Sequence, residues 1–159
     1  MSIERVRAHL ARLGVEGRIR EFDQSSATVE LAAAAVGTEP ARIAKTLSFM
    51  VGETPTLVVL AGDARVNNPA FKATFHAKAK MLSADQAAEL VGHAVGGVCP
   101  FGVNDGVEVW LDESLRRFDT VWPAAGSSNS AIELTLDELE RFSGARGWVD
   151  VAKGWRDGE

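Results

Sequence analysis

Apolar residues at the start of the chain recur at helical spacing. Ile3, Val6, Leu10 and Leu13 fall on one face, Ser2 stands in a capping position and Gly14 closes the segment. Arg18 to Phe22 reads as a short strand. The cluster Ser25-Ser26-Ala27-Thr28 opens a second helix through Val29, Leu31, Ala32, Ala35 and Val36, and Gly37 ends it. Thr38-Glu39-Pro40 starts a further short turn of helix carrying Arg42 and Ile43. At Lys45 the pattern switches to a β-prone run, Thr46 to Val51. After turn residues at Gly52 to Pro55 comes the near-continuous apolar run Thr56 to Ala61, a buried strand by its composition. The two runs predict a hairpin in a sheet covered on both faces.

Asn68-Pro69 opens a third helix through Phe71 and Phe75, and Lys80 to Leu82 is expected as a short strand. Ser83 with Gln86 three residues on forms a capping box whose helix runs to Gly92. Val107 to Leu111 alternates as a strand, Glu113 to Arg117 as a helical turn and Thr120 to Trp122 as a strand. A loop spans residues 125–130, and Ala131 to Leu134 reads as one more strand. Thr135 and Glu138 make a second capping box for the last helix, ended by Gly144, and Trp148 to Trp155 forms a terminal segment. Strict βαβ alternation is missing, which excludes a doubly wound parallel sheet and leaves an α+β arrangement. Repeats, linkers and low-complexity stretches are absent from the sequence.

The 159 residues suit a single domain with a real core, and 46% hydrophobic with 25% charged residues is ordinary globular composition. One cysteine and three scattered histidines exclude an internal disulfide and argue against structural zinc. The lack of a signal-like or membrane-length apolar run predicts a cytoplasmic protein with no membrane partner. A net charge of −5 speaks against strong non-specific nucleic-acid binding. That charge is uneven. Through Lys80 there are eleven Lys/Arg against eight Asp/Glu, and from Met81 six against fourteen. A local basic face built from Arg42, Lys45, Arg65, Lys72, Lys78 and Lys80 is one reading of the first half; solvated, scattered cations are the other.

Candidate chemistry centres on residues 92–102, which hold four of the 15 glycines, the only cysteine, His93 and Pro100. Adjacent glycines near a proline let main-chain N–H groups converge on one point, the way an oxyanion cradle is built without side chains. An ordinary tight loop has the same composition. Cys99 and His93 supply the elements of a thiol nucleophile and its base, though six residues spaced by two glycines fix no geometry. Lys45, between Ile43, Ala44 and Leu47, starts from a mostly apolar wall and can present a point charge to a phosphate or carboxylate, or snorkel to solvent. His9 and His76 read as surface residues, Asp63 and Asp105 as turn-forming loop acids. The sequence contains no Gly-x-Ser-x-Gly elbow, Walker loop, His-Glu-x-x-His or Cys-x-x-Cys motif.

Lys45-Thr46-Leu47 opening a strand resembles one signature of the YbaK/EbsC family, itself similar to the editing domain inserted in bacterial prolyl-tRNA synthetases. Gly92-x-x-x-Gly96-Gly97-x-x-Pro100-x-Gly102 resembles the other, and Trp122, Gly126 and Ile132-Glu133-Leu134 follow in the same order. The helix from Ala32 to Gly37, just before the lysine, matches too, so the resemblance covers nearly the whole chain.

The resemblance implies a single α+β domain over residues 1–159, with a curved, barrel-like mixed sheet flanked by helices. It implies a trans-editing aminoacyl-tRNA deacylase acting on mischarged tRNA(Pro), carrying cysteine or alanine, with prolyl-tRNA synthetase as an associated partner. It also implies that no metal or organic cofactor is needed. The catalytic set would be Lys45, Gly96, Gly97 and Pro100; Thr46, Val98, Cys99, Phe101 and Gly126 would bind substrate. Thr46 is closer to the cysteine-editing pattern than to alanine-specific members, which more often have asparagine there. Ser127-Ser128 replaces residues that are often basic in the family, which lowers the expected autonomous affinity for tRNA. The rival readings are a non-catalytic RNA- or nucleotide-binding module using the same pocket, and a thiol hydrolase using Cys99.

Overall fold

Strand β2, Ile43–Val51, is the axis of the molecule, and the computed structural model describes it within residues 2–94 and 97–156. It pairs antiparallel with β3, Thr54–Ala61, across a Gly52-Glu53 turn, in the register Lys45↔Leu60, Thr46↔Val59. The turn is shorter than the sequence suggests, because Thr54 and Pro55 already belong to β3. Parallel pairing then extends the sheet on both sides. β5 (Glu108–Asp112) lies beside β3 and β9 (Trp148–Val149) beside β5, while β6 (Thr120–Pro123) lies beside β2 and β8 (Leu134–Thr135) edges β6. The result is a six-stranded mixed sheet in the order β8-β6-β2-β3-β5-β9, curled into a half-barrel. Two small antiparallel ladders complete it, β1 (Arg20–Glu21) on β7 (Ser130–Ala131), and β4 (Arg65–Val66) on β10 (Ala152–Lys153).

The apolar run of β3 is fully buried from Leu57 to Ala61, as a strand with neighbours on both sides and both faces covered must be. Helix α1 (Ser2–Ala11) contributes Val6 and Leu10 to this core. Helix α3 (Asn68–Phe75), capped by Asn67, delivers a row of rings: Phe49 to Phe71 and Phe71 to Phe75 at 4.7 Å, then Phe75 edge-on to Trp110 at 5.8 Å. Truncating so buried a ring as Phe71 costs about 3–5 kcal/mol. Helix α2 (Val29–Val36) starts at the Thr28 cap, ends at left-handed Gly37, and packs Ala32 and Ala33 on Ile43. Short α4 (Ala84–Gln86) has the expected Ser83 capping box but widens into a π-helical turn, Ala87–Val91, before Gly92. Helix α5 (Leu136–Ser143) has the Thr135–Glu138 capping box.

Several expectations change in detail. A 3₁₀ turn, Glu16–Arg18, takes the start of the first anticipated strand. Residues 80–82 form only a single bridge, Met81 to Phe49. The anticipated strand from Ala131 to Leu134 is split between β7 and β8, because the chain crosses from the small ladder to the main sheet within those residues. His9 is no free surface group: its Nε2 donates to the Phe142 carbonyl at 2.7 Å, docking α1 on α5.

Arg18 clamps the far side of α5. Its guanidinium donates to both carboxylate oxygens of Glu138, at 2.6 and 3.0 Å, and to the Glu133 carbonyl at 2.7 Å. Hydrogen bonding from Arg18 first holds the Glu138 carboxyl down at about 2, against an ordinary 4.5. A depressed acid stabilises the fold above its ordinary value, and that contribution fades as pH falls towards about 2. Glu138→Gln keeps the cap but removes the charge, so it should lower stability by about 1 kcal/mol at neutral pH after discounting for solvent. Urea unfolding should show the gap to wild type closing between pH 4.5 and pH 2; a gap constant with pH would contradict this assignment.

Candidate functional site

The main-chain edge of β2 that faces away from β3 is only partly covered. β6 pairs with it at Ile43 and Ala44 alone. Further on, Met50 N–H donates to the Lys80 carbonyl at 2.9 Å and Leu82 N–H to the Ser48 carbonyl at 3.0 Å. Even-numbered residues of β2 therefore turn their main-chain groups to this edge, and the same alternation turns those of Thr46 there. Between the two pairings no strand of the described residues covers Lys45, Thr46 and Leu47 on this edge. The gap opens into a cavity of about 340 Å³, small for a ligand site but within the usual range. Its walls come from β2, the start of α2 at Thr28 and Val29, Met81 and Leu82, Val98 of the glycine-rich loop, Trp122 of β6, and Ser130 and Ala131 of β7.

Lys45 is the one charged residue among the described residues of this lining. The strand begins at Ile43, so Lys45 is its third residue rather than the switch point, and its side chain is half-buried. Nζ donates one long bond, 3.4 Å, to the Gly62 carbonyl, which leaves donor capacity for a ligand. Burial lowers its pKa, and the carboxylates of Asp63 and Glu30 pull against that shift. Asp63 is itself held by Arg117 through two bonds, 2.6 and 2.9 Å, and those bonds depress its pKa. What the sequence presents as an isolated loop acid is thus ion-paired with an arginine 54 residues away, and its charge also favours the charged form of the half-buried lysine. Nothing in the local sequence around Asp63 signals that pairing.

Thr46 adds a second feature. Its Oγ1 is buried with no hydrogen-bond partner among the described residues, and the residue lines the cavity. A buried hydroxyl left unpaired is costly, so a ligand group that bonds it is favoured there.

The glycine-rich loop meets the site through Val98. Gly96, the first expected member of the backbone cradle, lies outside the described residues. Gly97 lies against the loop after β6: a Cβ on it would stand 2.7 Å from the Gly126 carbonyl oxygen and 2.9 Å from Ser127 Cα. Gly126 holds a φ of +100°, a conformation that side chains disfavour. The two glycines let the 97–98 and 126–127 main chains touch.

Cys99, Pro100 and Phe101 turn inward and are buried behind the loop, outside the cavity lining. Cys99 Sγ sits 3.7 Å from His93 Nε2 and 3.8 Å from the Phe101 carbonyl, and burial pushes the thiol up to about 12. His93 Nε2 donates to that same carbonyl at 2.8 Å, and burial lowers the imidazole pKa. A protonated, enclosed thiol beside a neutral histidine is packing for the loop rather than a nucleophile and its base. The cavity lining holds no carboxylate, histidine or cysteine among the described residues, and no cluster of three or more His, Cys, Asp or Glu there is arranged to hold a metal. No helix of the described residues is long and apolar enough to cross a membrane.

The profile of the aminoacyl-tRNA editing domain matches residues 23–142. The uncharacterized protein YwhH of Bacillus subtilis is 51% identical over 156 residues, covering 98% of this chain and 99% of that protein. Proline–tRNA ligase of Streptococcus sanguinis is 27% identical over 109 residues, 68% of this chain but 17% of the ligase. A solved structure presented as a candidate trans-editing enzyme for prolyl tRNA synthetase superposes with a TM-score of 0.87 at 30% identity, covering 96% of this chain and 98% of that one. The chain belongs to the aminoacyl-tRNA editing domain family.

Proposed function

We propose that this protein hydrolyses the ester of mischarged aminoacyl-tRNA in trans, with tRNA(Pro) carrying cysteine or alanine as its substrate. The observation that carries the reading is the uncovered edge of β2, where Lys45 and Thr46 line a small cavity whose other described lining residues are uncharged. Such a site fits a short aminoacyl group attached to a polar ribose.

The ester is already activated, so hydrolysis needs a placed water, a fixed carbonyl and a stabilised oxyanion more than a protein nucleophile. Lys45 Nζ supplies a donor to the aminoacyl carbonyl or to the terminal phosphate, and Asp63 supports its charged form. Thr46 Oγ1 bonds the amino acid or ribose. The glycine-rich loop expected to hold Gly96, Gly97 and Pro100, backed by Gly126, brings the Val98 main chain to the developing oxyanion; the Gly97 N–H donates to the Ala94 carbonyl at 3.0 Å and joins the cradle only on leaving that bond. Cys99 and Phe101 hold that loop from behind. The water adds to the carbonyl carbon, the bond to the ribose oxygen breaks, and that oxygen leaves with a proton. With no general base in the described lining, the substrate's neighbouring ribose hydroxyl, or the thiol of a cysteinyl group, assists the attack.

Deacylation of tRNA(Pro) charged with cysteine, alanine or proline tests this directly. Wild type should release cysteine or alanine and spare proline, and Lys45→Ala should be slower by about a hundredfold while remaining folded. Release of none of the three would overturn the reading; tRNA binding without release would identify a binding module instead. The mechanism also makes the Cys99 thiol dispensable. Cys99→Ala should keep full activity, and native Cys99 should resist thiol reagents at about pH 8 until the chain is unfolded. Rapid labelling of the native protein, or activity lost with the thiol in a folded variant, would restore the nucleophile reading.

A further inference from the structure

Arg20 is an exposed cation with a defined seat and, among the described residues, no paired carboxylate. Its guanidinium lies 5.4 Å from the Trp122 ring centroid and 5.5 Å from that of Phe22. Trp122 lines the cavity. The β1–β7 ladder places Arg20 opposite Ala131 and Glu21 opposite Ser130, and both β7 residues line the cavity too. Arg20 therefore stands at the cavity rim, on the side formed by β6 and β7. Three acids near it in sequence or fold are engaged elsewhere. Glu21 pairs with Arg7, Glu138 with Arg18, and the Glu133 carboxylate accepts from Thr120 Oγ1 at 2.9 Å. Among the described residues no carboxylate forms an ion pair with Arg20.

Of the other arginines that stack on rings, Arg42, Arg116, Arg117 and Arg156 each have an acidic partner, while Arg141 over Phe142, on α5, forms no ion pair among the described residues. A guanidinium held by ring faces keeps its planar N–H fork directed outwards, ready for two oxygens of one group. Resting on the deacylase reading above, we propose that Arg20, seated on Trp122, binds a phosphodiester of the RNA 3′ end as the terminal nucleoside enters the cavity. This gives a chain of net charge −5 a specific cationic contact where a polyanion must approach the site.

The test is fluorescence titration of a 5′-labelled hexaribonucleotide ending in CCA, across a range of potassium chloride concentrations. Wild type should bind it. Arg20→Gln should weaken binding about tenfold at low salt and reduce the slope of log affinity against log salt by about 0.7, one single-strand phosphate contact. Arg20→Lys should restore the slope and only part of the affinity, because the charge remains but the fork is lost. Lys72→Gln, a change to an exposed cation of α3, should match wild type. Failure of wild type to bind, an Arg20→Gln slope equal to wild type, or an equal loss in Lys72→Gln would overturn the proposal. Because the readout is binding, a protein that binds the oligonucleotide through Arg20 but deacylates nothing would sink the enzymatic reading alone.

Discussion

Everything at this site depends on one strand edge being covered at both ends and open in the middle. A sheet normally satisfies its main-chain groups by pairing, and an open edge is a liability that proteins cover or shorten. Here β6 covers Ile43 and Ala44, the Lys80–Leu82 segment covers Ser48 to Met50, and among the described residues nothing pairs with the three residues between on this edge. The half-barrel makes this possible. Parallel β6 diverges after Pro123 into the loop that meets Gly97, so its departure creates the gap and also brings the glycine-rich loop to it.

Electrostatics are arranged around that gap rather than within it. Among the described residues the lining carries a single charge, Lys45, whose cost of burial is offset by Asp63, which Arg117 in turn keeps ionised. Asp63 follows directly on Gly62, whose carbonyl takes the lysine bond. Gly62 lacks a Cβ for a steric reason: one would stand 2.0 Å from the Pro40 carbonyl oxygen. The lysine, its acceptor and its counter-charge are therefore fixed together at the end of β3. The anticipated basic face is not assembled as one unit there: Arg42 lies over Phe118 and pairs with Glu39, and Lys45 is half-buried.

Local chemistry was legible in the sequence wherever it acts over a few residues. Thr28, Ser83 and Thr135 cap the helices they announce, Gly37 and Gly144 end theirs, and the run from Thr56 to Ala61 is the buried strand its composition demands. The strand-opening lysine and the glycine loop carried the family resemblance, and both border one cavity. What could not be read was partnership across the chain. Arg117 with Asp63, His9 with the Phe142 carbonyl and Arg20 on Trp122 join residues 54, 133 and 102 positions apart. No periodicity encodes such distances. The inward turn of Cys99 and Phe101 was hidden for a related reason, since glycines on either side leave the loop's facing undetermined until the core fixes it.

The central claim is that the open stretch of β2 receives the aminoacyl end of the substrate. It is tested most directly by amide chemical-shift mapping with a non-hydrolysable, amide-linked cysteinyl- or alanyl-adenosine. The account predicts that the largest shifts fall on Lys45, Thr46, Leu47 and Val98, with the Trp122 indole following, and that Thr46→Val weakens binding by about tenfold. Shifts concentrated instead around Glu21 to Gln24, the second hollow beside α2, or no saturable shifts at all, would contradict it.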